Sequence, residues 1–329
     1  MARIQLIAFD NGVGNSQDFR LLQQALSQGD HQVAVRVISR PERRARRGAL
    51  RYYWHGLSRR WRQPAPTFDL NLFLEHVYPQ ALNDARHNVF IPNPEWLDRH
   101  DGRWLSYIDA LWCKTQLTQT RLSPVGLPCH YLGFMSEDLY LPQVAKLPKF
   151  IHLAGKSRMK GTQSLIDCWR VHPHWPTLCI IHSGKLPLHT QGAANIELCA
   201  EYLPKDTLQQ RLNAHAFHLC TSQTEGWGHY IPEAMSMQAV VITLDAPPMN
   251  EHIHADSGVL LAAHQQGYQH WAPLYAFEHA ALIAWMESWL QQPTLARYQP
   301  LGATARAVFL RQRQAFPLRL NALISALPR

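Results

Sequence analysis

Short apolar runs rich in β-branched residues alternate with helical patterns along almost the whole chain, and that alternation narrows the fold more than any other property. Strands separated by helical stretches pair in parallel, because a parallel connection needs a crossover that a tight turn does not provide. In the first half the strand-like runs are Ile4–Phe9, Gln32–Ile38, Leu70–Glu75, Asn88–Pro92, Ala110–Lys114 and His130–Gly133. Near Leu141–Pro148 two prolines flank a short polar stretch, which reads as a boundary. Beyond it the rhythm restarts: strand Phe150–Ala154, helix Thr162–Trp169, strands Leu178–His182 and Ile196–Cys199, helix Lys205–Ala214, strand Ala216–Thr221, helix Tyr230–Met237, strand Val240–Leu244. Helical patterns then occupy Glu278–Gln291 and much of Ala303–Leu327. The expectation is two consecutive α/β domains, residues 1–143 and 149–302, with a ligand cleft between them.

With 329 residues, 46% of them hydrophobic and 17% charged, both domains can bury a core and disorder is excluded as the main state. The first residues run straight into an apolar strand without the basic start and small-residue cleavage site of a signal peptide. No apolar run approaches the ~20 residues that span a bilayer. The six cysteines form no CxxC pair. The expected compartment is therefore the cytoplasm, with peripheral attachment at the inner face of a membrane as a variant. The net charge of +8 has one source. Between Arg40 and Gln63 nine arginines face a single acid, Glu42, and the rest of the chain is balanced. This basic excursion, residues 40–66, interrupts the α/β rhythm of the first domain.

The stretch richest in chemistry is Ser222-Gln223-Thr224-Glu225-Gly226-Trp227-Gly228-His229-Tyr230-Ile231-Pro232-Glu233-Ala234-Met235. It follows a strand and opens a helix. Gly226 and Gly228 let a ligand approach the backbone, Pro232 suits a first helical turn, and amides at a helix start attract phosphate. Glu225 precedes the turn and Glu233 follows it by eight positions. A nucleotide sugar is a diol, two phosphates and a second diol, and carboxylates accept hydrogen bonds from hydroxyl pairs. An isolated pair of glutamates at this spacing reads more simply as a loop and an ordinary N-terminal helix acid. The intervening Gly-x-Gly and the strand before it favour the ligand reading.

This stretch resembles the Glu-x7-Glu signature of the family 4 retaining glycosyltransferases (glycosyl transferases group 1). The resemblance continues through Val240-Val241-Ile242-Thr243-Leu244-Asp245-Ala246-Pro247-Pro248-Met249-Asn250-Glu251 and Gly258-Val259-Leu260-Leu261. Upstream, Gly155-Lys156-Ser157-Arg158-Met159-Lys160-Gly161 is similar to the family's Gly-Arg…Lys-Gly loop, with Lys156 standing where arginine is usual. The resemblance implies an α/β GT-B fold, two facing Rossmann-like domains with the donor held by the second. It implies that Glu225 contacts the donor sugar and Glu233 the ribose hydroxyls. Lys156 or Arg158, with Lys160, would neutralise the diphosphate, and the backbone around Gly228, His229 and Tyr230 would meet the diphosphate and sugar. It also implies that residues 303–329 cross back to the first domain.

The first domain carries weaker signals. Asp10-Asn11-Gly12-Val13-Gly14 follows the first strand and matches, in outline, the family's glycine-rich acceptor-side loop, with Asn11, Gly12 and Gly14 as its candidates. Phe73-Leu74-Glu75-His76 ends another strand, where such enzymes often place a histidine near the donor sugar; His76 is the candidate, with Glu75 beside it. An ordinary βα turn and a satisfied core histidine explain both equally well. Arg43, Arg44, Arg46 and Arg47, interleaved with Tyr52, Tyr53, Trp54 and Trp61, point to the acceptor side. The partner there is a nucleic acid, an anionic membrane-associated glycan or lipid, or only solvent.

The resulting expectation is a hexosyl-type transferase moving a sugar from a nucleotide diphosphate sugar to an acceptor hydroxyl with retention, with Glu225 and His76 catalytic. No Asp-x-Asp occurs in the chain, so neither a metal nor a cofactor beyond the donor substrate is expected, and leaving-group charge falls to Lys and Arg. Two other readings stand beside it: a catalytically inactive nucleic-acid-binding protein of this fold, and a sugar-nucleotide epimerase of similar fold.

Overall fold

The computed structural model describes residues 1–9, 14–38, 66–184 and 186–328. They divide into two compact units. The first comprises Met1–Met135, His270–Ala272 and Gln312–Arg329, and the second Ser136–Gln269 and Pro273–Arg311.

The first unit is built on β1 (Arg3–Phe9), β2 (Gln32–Ile38), β3 (Phe68–Glu75), β4 (Ala85–Pro92), β5 (Ala110–Cys113) and β6 (Cys129–Tyr131). They lie in the order β2-β1-β3-β4-β5-β6 with every neighbouring pair parallel. Helix α1 (Gly14–Ser27) connects β1 to β2, and α2 (Gln116–Leu122) connects β5 to β6, started by Thr115, whose hydroxyl accepts the Thr118 amide. Strands covered on both faces read as unbroken apolar runs. Accordingly the last six residues of β3 and the last five of β4 are all buried. Ile7, Phe73, Phe90 and Leu111 form the centre of the core. One charged pair enters this interior: Lys114, at the end of β5, donates to Asp18 of α1, both almost fully buried. Each ion needs the other there, since a lone buried charge costs several kcal/mol.

The second unit repeats the plan with β7 (Leu147–Gly155), β8 (Leu178–His182), β9 (Ile196–Cys199), β10 (His215–Cys220), β11 (Val240–Leu244) and β12 (Gly258–Leu261). Their order is β12-β11-β10-β7-β8-β9, again all parallel. Helices α3 (Thr162–Val171), α4 (Lys205–Ala214), α5 (Tyr230–Ser236) and α6 (His279–Gln291) cover it. One face is aromatic: Phe150 stacks on Phe217 at 4.8 Å, and Trp169, Trp285 and Trp289 meet Phe150 edge-on. The other packs Ile151, Cys179 and Ile181 against Leu212 and Met237.

Most strands fall where the alternation puts them. Two elements do not follow from it. The first is the small sheet of β13 (Ala263–Gln269) and β14 (Ala272–Phe277). β13 reads Ala-His-Gln-Gln-Gly-Tyr-Gln and has no β-branched residue or buried position, so neither propensity nor burial announces it. The second is the full length of α7 (Gln299–Ser325), which continues through Pro317. Its later turns belong to the first unit, where Phe316 packs on Phe134 at 4.8 Å and Arg319 Nε donates to the Leu132 carbonyl at 2.9 Å. Among the described residues, no helix is long and apolar enough to cross a membrane.

Candidate functional site

In a doubly wound sheet the strand order reverses at one point, and ligands bind at the carboxyl ends of the two strands there. In the second sheet that point is between β7 and β10. The loops leaving these two strands are 156–161 and 221–229, which contain the two stretches singled out in the sequence.

The first loop turns sharply. Gly155 has φ +56, and Ser157 then caps a single 3-10 turn, Arg158–Lys160, its hydroxyl accepting the Met159 amide at 3.1 Å. Gly161, at φ +67, precedes α3. A side chain cannot replace this glycine: besides the strained φ, a Cβ would collide with the Thr221 carbonyl oxygen. The close approach lets the loops bond directly. The Gln223 amide donates to the Met159 carbonyl at 2.7 Å, and the Thr221 hydroxyl to the Lys160 carbonyl at 2.9 Å.

Lys160 is thereby brought to Glu225, with Nζ 2.7 Å from Oε1 and both side chains mostly covered. Nζ also lies 3.2 Å from the centre of the Tyr230 ring. The Ser222 hydroxyl donates to the same Oε1 of Glu225. Gly228, at φ +80, lies against Glu225, where an added Cβ would stand 3.0 Å from Cγ. Glu233 sits in the first turn of α5 and borders a small cavity with Tyr230, Met237, Cys220 and His218. His229 turns elsewhere, its Nδ1 2.8 Å from the Ser136 hydroxyl, which also accepts from Trp227 Nε1 at 3.1 Å. Lys156 and Arg158 are exposed on the first loop and make no ion pair among the described residues.

Buried histidines support both loops. His152 Nδ1 donates to the Leu219 carbonyl at 2.7 Å, and its Nε2 lies 2.9 Å from the Thr162 hydroxyl. His252 Nε2 donates to the Trp227 carbonyl at 2.7 Å. Burial pushes each down to about 4, so both rings are neutral near pH 7; the nearby Lys160 charge lowers His152 further.

In the first sheet the order reverses between β1 and β3. Asn11 and Gly12 lie outside the described residues, as do Arg43, Arg44, Arg46 and Arg47; Gly14 opens α1. Glu75 and His76 end β3. Glu75 takes φ +67 while the His76 amide donates to the Leu74 carbonyl at 2.8 Å, a γ-turn of the strained hand. Such strain in a non-glycine residue persists only where its surroundings enforce it. Asp101 does so: one carboxylate oxygen accepts the Val77 amide and the other His76 Nδ1, each at 2.8 Å. Asp101 stands 25 residues from His76 and had no signal in the sequence.

Two doubly wound parallel sheets, each with polar loops at its point of reversal, define the GT-B class of fold. Solved structures agree. The sucrose-phosphate synthase of Thermosynechococcus elongatus superposes with a TM-score of 0.71 at 12% identity, covering 99% of this chain and 98% of its own. Anabaena HepE, solved in complex with UDP and glucose, gives 0.65 at 15% identity, covering 99% and 100%. A glycosyltransferase from Rickettsia africae gives 0.63 at 11%, covering 98% and 97%. No protein-family model matches the chain, and no curated protein matches it by sequence. The chain thus has the α/β GT-B fold of these enzymes.

Proposed function

We propose that the chain is a glycosyltransferase that takes a hexosyl group from a nucleoside diphosphate sugar and transfers it to an acceptor hydroxyl with retention, by the chemistry of family 4. The observation that carries this reading is the meeting of Lys160 and Glu225 at the point of reversal of the second sheet. A donor there meets a carboxylate and cations within one short loop pair. Glu225 Oε2 has no partner among the described residues and accepts a sugar hydroxyl, while Glu233 takes the ribose hydroxyls. Lys156, Arg158 and Lys160, with the backbone at Gly228–Tyr230, hold the diphosphate. As the C1–O bond to the β-phosphate breaks, their charge stabilises the departing nucleoside diphosphate. The acceptor oxygen bonds to C1 from the same face, and its proton leaves with the diphosphate. Glu225 and His76 are the proposed catalytic residues, and no metal is required.

The acceptor is proposed to be phosphate-bearing, a nucleic acid or a membrane-associated glycan or lipid met by the Arg40–Arg62 segment and the Asn11–Gly14 loop. The proposed compartment is the cytoplasm, with peripheral attachment at the inner face of a membrane as a variant. UDP is the first probe, because HepE was solved with UDP. A thermal-shift series with UDP, ADP, GDP and UDP-glucose should raise the melting temperature for one base, since a ligand bound only by the folded state stabilises it. If no nucleotide raises it at millimolar concentration while nucleic acid does, the chain is a binding protein on this fold. Conversion of the free sugar nucleotide without acceptor would instead make it an epimerase.

A further inference from the structure

Four side chains of the second unit close a ring of contacts. The Tyr230 hydroxyl accepts the Ser222 amide at 2.9 Å and lies 2.6 Å from the Ser222 hydroxyl. Ser222 Oγ passes its own proton toward Glu225 Oε1. Lys160 donates to that same oxygen and rests on the face of the Tyr230 ring, which completes the circuit. The hydrogen-bond directions are forced. Glu225 as carboxylate only accepts, so Ser222 must donate to it and must therefore accept from Tyr230. Ser222 is fully buried and Tyr230 is 8% exposed. Burial first, and then the Glu225 carboxylate, hold the tyrosine well above its usual pKa, so its O–H proton stays in place.

The consequence falls on Glu225. Both donors converge on Oε1, and Oε2 receives none among the described residues. A carboxylate held by one oxygen on two fixed donors has a fixed plane, and its second oxygen points in one direction. A cation on an aromatic face is likewise restrained. We propose that Ser222 and Tyr230 are positioning residues: acting through Glu225 and Lys160, they fix the direction in which Glu225 Oε2 is offered to a sugar hydroxyl. The role rests on the reading of Glu225 as the group that meets the donor sugar. Tyr230 has a double part, since its hydroxyl orders Glu225 through Ser222 while its ring seats Lys160. The relay contacts the sugar only through Glu225, and so bears on turnover more than on nucleotide affinity.

The test compares the native protein with Tyr230→Phe, Ser222→Ala, Ser222→Thr and the double variant Ser222→Ala/Tyr230→Phe. Tyr230→Phe keeps the ring beneath Lys160 and removes only the hydroxyl. With UDP-glucose as donor, Tyr230→Phe and Ser222→Ala should each lower kcat about tenfold while KM and UDP affinity stay within about twofold. The double variant should be no worse than the singles, because both break one relay. Ser222→Thr should recover most of the loss. Native turnover in Tyr230→Phe, or additive losses in the double variant, would overturn the proposal. A second measurement is independent of the donor. In ligand-free protein the carbon-13 resonance of the Glu225 carboxyl, assigned by its loss in Glu225→Gln, should move in both Ser222→Ala and Tyr230→Phe, and further in Ser222→Ala, which removes a direct donor. If the native protein does not turn over UDP-glucose, the functional reading fails for that donor and this resonance alone decides the relay; an unmoved resonance overturns it.

Discussion

Glu233 lies a single turn into α5, beside Tyr230, and its carboxylate is the proposed partner of the ribose hydroxyls. Glu233→Ala should therefore weaken nucleoside diphosphate binding by about 1–3 kcal/mol, the range for a lost charge-assisted hydrogen bond. Calorimetry with the bare nucleotide checks this; unchanged affinity in a folded variant removes Glu233 from the site. The buried histidines make a separate prediction. In the folded state burial holds His152 and His252 at about 4 and His218 at about 3, against 6.5 for the free side chain. As pH falls the unfolded chain takes up protons that the folded chain refuses. Stability from these neutral rings is thus complete above the unfolded value, 6.5, and is lost as pH falls toward the folded values. The melting temperature should drop between about pH 7 and about pH 5. A flat profile across that window would show that the histidines do not titrate as their burial requires.

The two loops of the site are elements fitted to one another through glycine. Gly161 combines a left-handed φ with a backbone oxygen where its side chain would be. Gly161→Ala should cost at least about 1 kcal/mol of stability from the φ alone. The collision with Thr221 should also separate the loops and move Lys160 from Glu225. Loss of nucleotide affinity together with a lower melting temperature is expected; an alanine variant that binds and melts as the native protein does would mean the loops are not coupled there. At this scale most strands of the two large sheets were legible in the sequence, because strands buried on both faces advertise themselves as apolar runs. The site loops were legible as motifs, because Gly155, Gly161 and Gly228 mark backbone that other residues rarely adopt. The Ser222–Tyr230 relay and the Asp101 clasp on His76 were not. Serine, tyrosine and aspartate are common, and only folding tells which of them meet.

For the whole molecule the net charge of +8 is the charge of the Arg40–Gln63 segment, while the proposed donor residues lie in the second unit. Replacing Arg43, Arg44, Arg46 and Arg47 with alanine should leave donor affinity nearly intact and weaken acceptor use. Raising salt on the native protein should mimic the defect, because screening removes the same attraction. A variant that loses donor affinity instead would refute the division of labour. Chelation makes a further division: if, as proposed, Lys156, Arg158 and Lys160 meet the leaving-group charge, turnover should survive EDTA, and loss restored by Mg²⁺ would refute that account. By itself the sequence determined the class of fold, since the period of its apolar runs and the glycines between them admit few alternatives to two parallel sheets. It also marked Glu225 and Glu233, only eight positions apart, and the family resemblance of the Gly155–Gly161 loop marked Lys160. Only the tertiary structure decided the strand order that sets β7 beside β10, and with it the pairing of Lys160 with Glu225 across 65 residues. It alone drew Asp101 to His76. The physical reason is the same in each case: periodicity records which face of an element is buried, while contacts between distant residues arise from how buried faces stack, and no local pattern encodes that.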